Sequence, residues 1–465
     1  MRADICVIGA GSAGLTVAAA AATFGHEVVL IERGRMGGDC LNYGCVPSKS
    51  LIAAARHAHM ARDGARFGVH ATPQVDFHAV HAHVHAVIAG IAPHDSVERF
   101  EGLGVRVIQA DARFTGPDKV EAGGETIRAR RFVVATGSSP VVPAIDGLAT
   151  CEPLTNETVF DLTERPERLA IVGGGPIGAE LSQAFARLGS AVTVIERGTL
   201  LAREDADAAA VVRASLERDG VTLIEGGELA RCRREGNARV LTLADGRTVG
   251  ADAILVAAGR RANTRGLGLE AAGVATNDGA IVVDKGMRTT NRRIFAIGDV
   301  TGGLQFTHVA GHQASLAVRA IVFRLPVAYD PMLMPRTTYT QPELAQVGPT
   351  EAEARARDPR ARAVVAPLSG NDRARTEGET EGFVKLVLDG RGRLAGATVV
   401  APTAGDMIAT YALALSAKVR LATLASFVPA YPTLSEAGKR AATLHLGEKL
   451  NRPWVRRVLG LLKRV

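Results

Sequence analysis

The chain has 465 residues, with 55 Lys and Arg against 48 Asp and Glu, and its net charge at pH 7 is +7. A hydrophobic content of 47% and a charged content of 22% exclude a disordered or fibrous protein, and this length predicts about two to four domains. Aromatic residues make up only 4%, which argues against a nucleic-acid surface built on stacked bases. Five cysteines are too few for a secreted disulfide scaffold, so the composition predicts a reducing, cytoplasmic environment.

The first predicted element lies near the N-terminus, where residues 5–24 carry no charge. Gly9, Gly11 and Gly14 interrupt this run, so it predicts a strand, a glycine turn and a buried helix rather than a signal peptide or a membrane span. A second apolar strand follows and ends in Glu32. A G-x-G-x-x-G turn between strand and helix binds the pyrophosphate of a dinucleotide, and an acid about 20 residues further on accepts from the ribose hydroxyls.

A cysteine pair follows directly, in the segment GGDCLNYGCVPSKS, where Cys40 and Cys45 are five positions apart. A zinc site would need a second pair of ligands, which the sequence lacks, and a reducing compartment disfavours a structural disulfide. The remaining interpretation is a redox dithiol. Pro47 predicts the start of a helix, and a helix N-terminus would stabilise a thiolate here.

The other cysteines and the histidines form no comparable motif. The three remaining cysteines are isolated in the sequence and are predicted to be small buried or incidental residues: Cys6, Cys151 and Cys232. Eight of the twelve histidines lie within residues 57–94, and three fall at i, i+3 and i+7 on a predicted helix: His78, His81 and His85. That spacing could seat a metal on one helix face. A solvated or interface face is the more frequent explanation, so no metal site is predicted.

A second copy of the first unit begins at residue 169. A shift of 164 residues places the glycines and the terminal acid of the first unit on those of the second: Gly173, Gly175, Gly178 and Glu196. Two copies in register predict two bound dinucleotides. Glu196 favours the free 2′-hydroxyl of NAD over the 2′-phosphate of NADP, although the following Arg197 can offset part of this preference.

Two such units flanking G-G-x-C-x-x-x-x-C-x-P-S-K resemble the class I pyridine nucleotide–disulfide oxidoreductases over nearly the whole chain. The turns ATG, ending at Gly137, and AAGR, containing Gly259, look like those that close the two nucleotide domains. IFAIGDV around Asp299 is similar to the second flavin motif, whose acid holds the ribityl chain. YTQPELAQVGPTEAEA from Tyr339 resembles the start of the dimerisation domain, and residues 382–400 predict a hairpin there.

The resemblance implies an α/β homodimer with two Rossmann-like dinucleotide-binding domains, for FAD and NAD, and a C-terminal α+β dimerisation domain. The implied boundaries are 1–148 for the first part of the FAD domain, 149–272 for the NAD(P) domain, 273–335 for the return to the FAD domain, 336–450 for the dimerisation domain and 451–465 for a basic amphipathic tail.

The resemblance also implies a route for electrons. NAD(P)H at the second unit passes hydride to FAD at the first, and the flavin reduces a Cys40–Cys45 disulfide. Cys45 is implied to lie nearest the flavin and Cys40 to attack the substrate, while Lys49 sits by the flavin ring and pairs with Glu180. The implied FAD-binding residues are Gly9, Gly11, Gly14, Glu32, Lys49, Gly137 and Asp299. The implied NAD-binding residues are Gly173, Gly175, Gly178, Glu196 and Gly259.

The chain departs from the family near its C-terminus. Disulfide-reducing members carry H-P-x-x-x-E, but this chain has YPTLSE, with Tyr431 in the His position and Glu436 retained. A phenol titrates near pH 10 and an imidazole near pH 6.5, so Tyr431 is a poor acid/base for a leaving thiol. Mercuric reductases also carry Tyr there, but they add a C-terminal Cys pair, and this chain has no cysteine after Cys232. The acceptor therefore stays open among a small or protein-bound disulfide, a thiol-bound metal and a small electron acceptor.

The C-terminal tail predicts a basic amphipathic helix. One face would be apolar, with Trp454, Val455, Val458, Leu459, Leu462 and Val465. The opposite face would be basic, with Arg456, Arg457, Lys463 and Arg464. Such a helix suits an anionic membrane surface through residues 452–465, or packing within a dimer. It also leaves an alternative function open, namely a non-catalytic redox sensor that the tail recruits to a membrane or a partner.

Overall fold

The computed structural model describes residues 1–450 and 453–462, and the chain divides into two compact units. The first unit comprises residues 1–174, 184–197 and 226–331. The second comprises residues 175–183, 198–225 and the chain from Met332 onward. None of the described helices is both long and apolar enough to cross a membrane.

Helices and strands follow one another along the whole described chain. Up to residue 140 they are β1 (Arg2–Ile8), α1 (Ser12–Thr23), β2 (Val28–Glu32), α2 (Gly38–Asn42), α3 (Cys45–Asp63), α4 (Phe77–Ile91), α5 (Val97–Gly102), β3 (Arg106–Gln109), β4 (Arg113–Gly116), β5 (Lys119–Ala122), β6 (Glu125–Val134) and β7 (Ser138–Pro140). Up to residue 321 they are β8 (Arg168–Val172), α6 (Pro176–Leu188), β9 (Ala191–Glu196), α7 (Ala206–Arg218), β10 (Thr222–Glu225), β11 (Leu229–Glu235), β12 (Ala238–Leu243), β13 (Thr248–Ala251), β14 (Ala253–Val256), β15 (Arg260–Ala262), β16 (Thr276–Asn277), β17 (Ala280–Ile281), β18 (Ile294–Ala296) and α8 (Thr307–Ile321). The remaining elements are β19 (Arg336–Thr338), β20 (Glu343–Val347), α9 (Glu351–Arg357), β21 (Arg362–Pro367), α10 (Asp372–Thr376), β22 (Phe383–Leu388), β23 (Leu394–Ala401), α11 (Ala404–Ser416), α12 (Leu421–Ser426), α13 (Glu436–Leu450) and α14 (Pro453–Leu462).

The first unit is built on a seven-stranded sheet in the order β3-β2-β1-β6-β5-β4, with β18 also paired to β6. The strand β1 runs parallel to β2 and to β6. Most residues of β1 and β2 are buried, as expected for strands covered on both faces. Ala13 of α1 and Ala314 of α8 belong to the core on one face, and Phe114 and Phe132 belong to the core on the other. The uncharged run 5–24 is therefore a strand, a turn and a helix, as predicted.

The second copy of the repeat has the same local structure. The strand β8 pairs in parallel with β9 and with β14, and α6 begins four residues after β8 ends. The strands β11, β12 and β13 form a separate antiparallel sheet in the first unit. Both halves of the internal repeat thus supply a parallel strand that leads through a glycine turn into a helix.

The second unit contains a five-stranded antiparallel sheet in the order β19-β20-β23-β22-β21. The predicted hairpin is confirmed, because β22 and β23 pair antiparallel with a register shift between Val387 and Leu388. Met407 and Tyr411 of α11 and Ala441 of α13 complete its apolar core. This unit also carries the segment with the departure at Tyr431.

The C-terminal helix α14 confirms part of the predicted tail. Its large apolar side chains are exposed: Trp454, Val458, Leu459, Leu461 and Leu462. Residues 451–452 and 463–465, including the predicted face residues Lys463, Arg464 and Val465, lie outside the described residues.

Candidate active site

The two glycine turns of the repeat have the same conformation. Gly9 has a φ of +104° and Gly173 a φ of +116°, values that residues with a side chain rarely adopt. A Cβ on Gly9 would lie 2.4 Å from the Ala135 oxygen, and one on Gly173 would lie 2.5 Å from the Ala257 oxygen. Ala135 and Ala257 open the two strand-end turns that the sequence singled out. Each glycine turn therefore touches a strand-end turn through backbone that only glycine allows.

The middle glycine of each turn leaves open space at the start of the following helix. A Cβ on Gly175 would meet no atom within 4 Å, and one on Gly11 would meet only the Gly38 Cα, at 4.0 Å. Gly11 is the N-cap of α1 and makes no side-chain capping bond. Helix N-termini attract anions through their backbone N–H groups and the helix dipole. These two turns fit a dinucleotide pyrophosphate.

The two acids that end the second strands also hold the turns. An oxygen of Glu32 accepts a hydrogen bond from the Ala10 N–H at 2.6 Å. An oxygen of Glu196 accepts one from the Gly174 N–H, also at 2.6 Å. A carboxylate oxygen can accept more than one hydrogen bond, so this contact is compatible with the predicted bond to a ribose hydroxyl.

Substitution of single glycines separates the roles of the turns. Gly14→Ala is expected to abolish FAD retention or folding, because the added Cβ would lie 1.8 Å from the Gly9 oxygen. Gly175→Ala is expected to keep FAD but to weaken NAD(P)H binding at least about tenfold, because its Cβ enters the space predicted for the pyrophosphate. FAD content of the purified protein and the NAD(P)H dissociation constant measure the two effects.

A matched control exists in α4. Gly90 lies within this helix, and a Cβ there would meet nothing within 4 Å. Gly90→Ala should therefore change neither the FAD content nor the NAD(P)H dissociation constant. Unchanged NAD(P)H affinity in Gly175→Ala would contradict the placement of the second dinucleotide.

Cys40 and Cys45 lie together where two helices meet. Cys40 is in α2 and Cys45 is the first residue of α3, so this helix begins two residues before Pro47, the predicted start. The structure holds no disulfide bond between them. The Cys45 Sγ lies 3.3 Å from the Thr307 Oγ1, at the first residue of α8. The pair is thus placed between the first repeat unit and α8.

Cys40 does not have the lowered pKa that is expected of a thiolate stabilised by a helix. The pKa of Cys40 is raised by its hydrogen bond with the Cys45 thiol and by burial, and the hydroxyls of Thr307 and Ser12 only partly oppose this. The helix start lies at Cys45, one turn away from Cys40. Two adjacent thiols titrate as a pair, so loss of a proton from one sulfur opposes ionisation of the other.

A polar network ties the residue before Cys40 to the flavin motif. Arg260 donates to Asp39 at 3.0 Å and, through Nε, to the Ser138 hydroxyl at 2.8 Å. The Ser138 hydroxyl in turn donates to Asp299 at 2.7 Å. Asn156 donates to Asp39 at 3.1 Å and accepts from Arg260 at 3.2 Å. Burial raises the pKa of Asp299, and the Ser138 bond and the Arg260 charge work against that shift.

Lys49 and Glu180 lie in different units of the chain. Lys49 is on α3 in the first unit, half-buried. Glu180 is buried on α6, in the part of that helix that belongs to the second unit, and its Oε1 accepts a hydrogen bond from the Tyr339 N–H at 2.9 Å. The pairing of Lys49 with Glu180 that the resemblance implies stays a prediction.

Tyr431, the residue that replaces the family His, is 72% exposed. Its hydroxyl donates to the Asp372 Oδ2 at 3.2 Å, and the negative charge of Asp372 raises the pKa of the phenol. Glu436 instead accepts from the Thr433 N–H at 3.3 Å and begins α13. Asp372 and Glu436 both line a cavity of about 700 Å³, together with Arg440. The charge of Asp372 therefore favours the neutral, hydrogen-bond-donating form of the phenol.

Two other sequence expectations have mixed outcomes. His78, His81 and His85 lie on α4 as predicted, with the His81 and His85 ring centroids 4.2 Å apart. Among the described residues, no group of three or more His, Cys, Asp or Glu is arranged to hold a metal. Cys6, Cys151 and Cys232 are buried as predicted, but the last two are not isolated, because their sulfur atoms lie 2.6 Å apart.

Sequence reasoning missed several residues of the site. Asp39 is next to Cys40, and Arg260 ends the AAGR turn, so position alone could have singled them out. Asn156, Thr307 and Asp372 carry no local signal, because each reaches its partner from a distant part of the chain.

Comparisons with known proteins match one family over most of the chain. The sequence profile described as pyridine nucleotide-disulphide oxidoreductase matches residues 3–314, and the dimerisation domain of the same name matches residues 334–442. The chain is 37% identical over 451 residues to a mercuric reductase of Streptomyces lividans, covering 94% of this chain and 95% of that protein. It is 34% identical over 465 residues to a dihydrolipoyl dehydrogenase of Geobacillus stearothermophilus, covering 96% and 97%.

Solved structures show the same fold. The HOCl-induced flavoprotein disulfide reductase RclA from Escherichia coli, in its Cu(II) complex, is 29% identical with a TM-score of 0.87, covering 96% of this chain and 99% of that one. LpdA from Mycobacterium tuberculosis is 31% identical, also with a TM-score of 0.87, covering 95% and 99%.

Proposed function

The chain belongs to the pyridine nucleotide–disulfide oxidoreductase family, and on that premise we propose that Cys40 and Cys45 deliver two electrons to an acceptor that needs no protonated leaving thiol. The family, the α/β fold class and the activity of a flavoprotein NAD(P)H:disulfide oxidoreductase are as predicted. The family uses FAD and NAD(P)H, and the matched dimerisation domain indicates a homodimer.

The residues assigned to each cofactor remain part of the proposal. FAD would be held by Gly9, Gly11, Gly14, Glu32, Lys49, Gly137 and Asp299. NAD(P)H would be held by Gly173, Gly175, Gly178, Glu196 and Gly259. When bound, these cofactors supply the hydride and relay its electrons to a disulfide. The domain boundaries also remain part of the proposal, with 1–148 and 273–335 for the FAD domain and 149–272 for the NAD(P) domain. NAD is favoured over NADP because Glu196 would repel a 2′-phosphate.

The proposed chemistry of this chain lies in the cysteine pair. In the dithiol state, Cys40 and Cys45 together hold two protons and two electrons, and oxidation to their disulfide releases both. Transfer begins when one sulfur ionises, and the second sulfur then closes the disulfide. Thr307 and Ser12 support this step, since their hydroxyls lower the pKa of Cys40 and so oppose the effect of burial.

The contact that carries the proposal for the acceptor is the hydrogen bond from Tyr431 to Asp372. A disulfide substrate releases a thiolate that must gain a proton, and a phenol whose pKa is raised further gives up its proton poorly near pH 7. A thiol-bound metal ion gives up its thiolate ligands by exchange and is reduced without cleavage of an S–S bond, and a quinone takes its two protons from solvent. Such acceptors are therefore favoured over lipoamide or glutathione disulfide.

A panel of acceptors tests this proposal. NADH consumption by the holoenzyme should be faster with mercuric ion or a soluble quinone than with lipoamide or glutathione disulfide, measured as kcat/KM. Fast turnover of either disulfide by the wild-type protein would contradict the proposal.

We further propose a peripheral membrane contact for an otherwise cytoplasmic protein. The described part of α14 exposes Trp454, Leu459 and Leu462, and Arg456 and Arg457 lie on the other face of the helix. Cations on one face and large apolar groups on the other suit anionic lipid. The full-length protein should co-sediment with anionic vesicles at low salt and lose this binding in a Trp454→Ser/Leu459→Ser variant. Equal sedimentation with neutral vesicles, or none with either, would contradict the contact.

A further inference from the structure

Cys151 and Cys232 form a second thiol pair that the family resemblance does not use. Cys151 ends a short turn at residues 149–151, and Cys232 lies on β11, 81 positions further along the chain. Their sulfur atoms are 2.6 Å apart, about 0.6 Å more than a disulfide bond. Both residues lie in the first unit and are 1% and 2% exposed.

Backbone contacts hold the two cysteines in place. The Cys232 N–H donates to the Asp146 oxygen at 2.8 Å, and Asp146 and Arg231 form a parallel bridge. A Cβ on Gly147 would lie 2.0 Å from the Cys232 oxygen, so only glycine permits this approach. The Cys151 N–H donates to the Gly147 oxygen at 3.2 Å. The sulfur atoms are therefore brought together by a fixed backbone arrangement.

The chemistry of the surroundings favours a disulfide over a metal site. Burial, followed by the contact with Cys151, raises the pKa of Cys232 to about 12, so any reaction of this pair with an oxidant is slow. No third ligand joins the pair in a metal-holding group among the described residues. A disulfide is uncharged and has no S–H donor to satisfy, so it suits a buried site.

We propose that Cys151 and Cys232 are a modification site at which oxidation by a small peroxide forms a buried disulfide, separate from the Cys40–Cys45 pair. In the first step, one sulfur attacks the peroxide O–O bond and becomes a sulfenic acid, releasing one water when the oxidant is hydrogen peroxide. In the second, the other thiol attacks that sulfur and forms the S–S bond, releasing a second water. One peroxide is reduced by two electrons, and two thiols are oxidised by two electrons.

The bond would fasten the segment 146–151 to β11 across a long stretch of chain. Cross-linking residues so far apart restricts the unfolded chain. The oxidised protein is therefore expected to be more stable than the dithiol form, while Cys40 and Cys45 continue to cycle.

The test uses the holoenzyme carrying Cys40→Ser and Cys45→Ser, which leaves three of the five cysteines. After prolonged treatment with hydrogen peroxide, the protein is denatured with an alkylating agent, digested without reductant and analysed by mass spectrometry. The expected result is a peptide pair joined through Cys151 and Cys232, with a single alkylated thiol left at Cys6. Three alkylated thiols, or cross-links that involve Cys6, would overturn the proposal.

A second measurement uses thermal unfolding of the same protein. Oxidation should raise Tm by roughly 5 °C, and reductant should reverse the rise. Adding Cys232→Ser should abolish the rise, whereas adding Cys6→Ser, at a buried cysteine of β1, should preserve it. A rise that survives Cys232→Ser would overturn the proposal. Because the variant under test lacks Cys40 and Cys45, the outcome does not depend on the proposed acceptor.

Discussion

Cys40→Ser is expected to lower kcat/KM for NADH-driven reduction of a thiol-reactive acceptor by at least about 10³-fold. The side chain that forms the covalent contact is removed, and losses of this size or larger follow removal of a nucleophile. Cys45→Ser should cause a comparable loss, because the covalent intermediate between Cys40 and the acceptor then has no second thiol to resolve it. Steady-state NADH consumption with mercuric ion as acceptor measures both effects.

The matched control is Cys6→Ser, which removes a buried thiol in β1 and should leave the rate within about twofold. FAD content must be equal in all variants, so that the loss is assigned to the thiols. If Cys40→Ser kept most of the wild-type rate with mercuric ion, electrons would reach this acceptor without the dithiol, and the proposed use of the pair would be wrong.

Tyr431→His is expected to raise kcat/KM for lipoamide by about 10²-fold or more, the range that general acid–base catalysis contributes. An imidazole exchanges its proton near neutral pH, whereas the pKa of the Tyr431 phenol is raised by the charge of Asp372. Glu436 is retained in the sequence, so the variant restores the H-P-x-x-x-E pattern of the disulfide-reducing members. Reduction of lipoamide by NADH, or oxidation of dihydrolipoamide by NAD, measures the gain.

Two further variants distinguish an effect of proton transfer at position 431 from an effect of the altered side-chain shape. Asp372→Asn removes the charge that raises the pKa of the phenol, but disulfide turnover should stay low, because an ordinary phenol still titrates near pH 10. Tyr431→Phe should leave the rate with quinone within about threefold. A large increase in lipoamide turnover in Asp372→Asn would show that the phenol is the acid/base after all.

The sequence predicted the repeat well because its signals are local. A strand, three glycines, a helix and a second strand ending in an acid lie within about 30 residues, and both copies fold as expected. Gly9 and Gly173 share their conformation because each packs against a strand-end turn, at Ala135 and Ala257, that the resemblance also marked. Patterns of this kind are set by neighbours in sequence.

The unpredicted contacts all join distant residues. Tyr431 donates a hydrogen bond to Asp372, 59 positions away in the sequence, and Asn156 donates one to Asp39, 117 positions away. Such partners depend on how the sheets pack, which single-sequence patterns do not encode. The start of α3 also differed from its prediction, since Gly44 caps the helix and Cys45 begins it. That shift of two residues places Cys45, rather than a later residue, at the helix N-terminus.

The most direct test counts thiols in the oxidised holoenzyme before and after anaerobic addition of one equivalent of NADH per chain, with no acceptor present. Alkylation of the denatured protein and mass spectrometry locate each new thiol. The predicted result is two additional thiols per chain, at Cys40 and Cys45, and none in a Cys40→Ser/Cys45→Ser variant. Oxidation of NADH without new thiols at these two positions would contradict the proposed path of electrons through the pair.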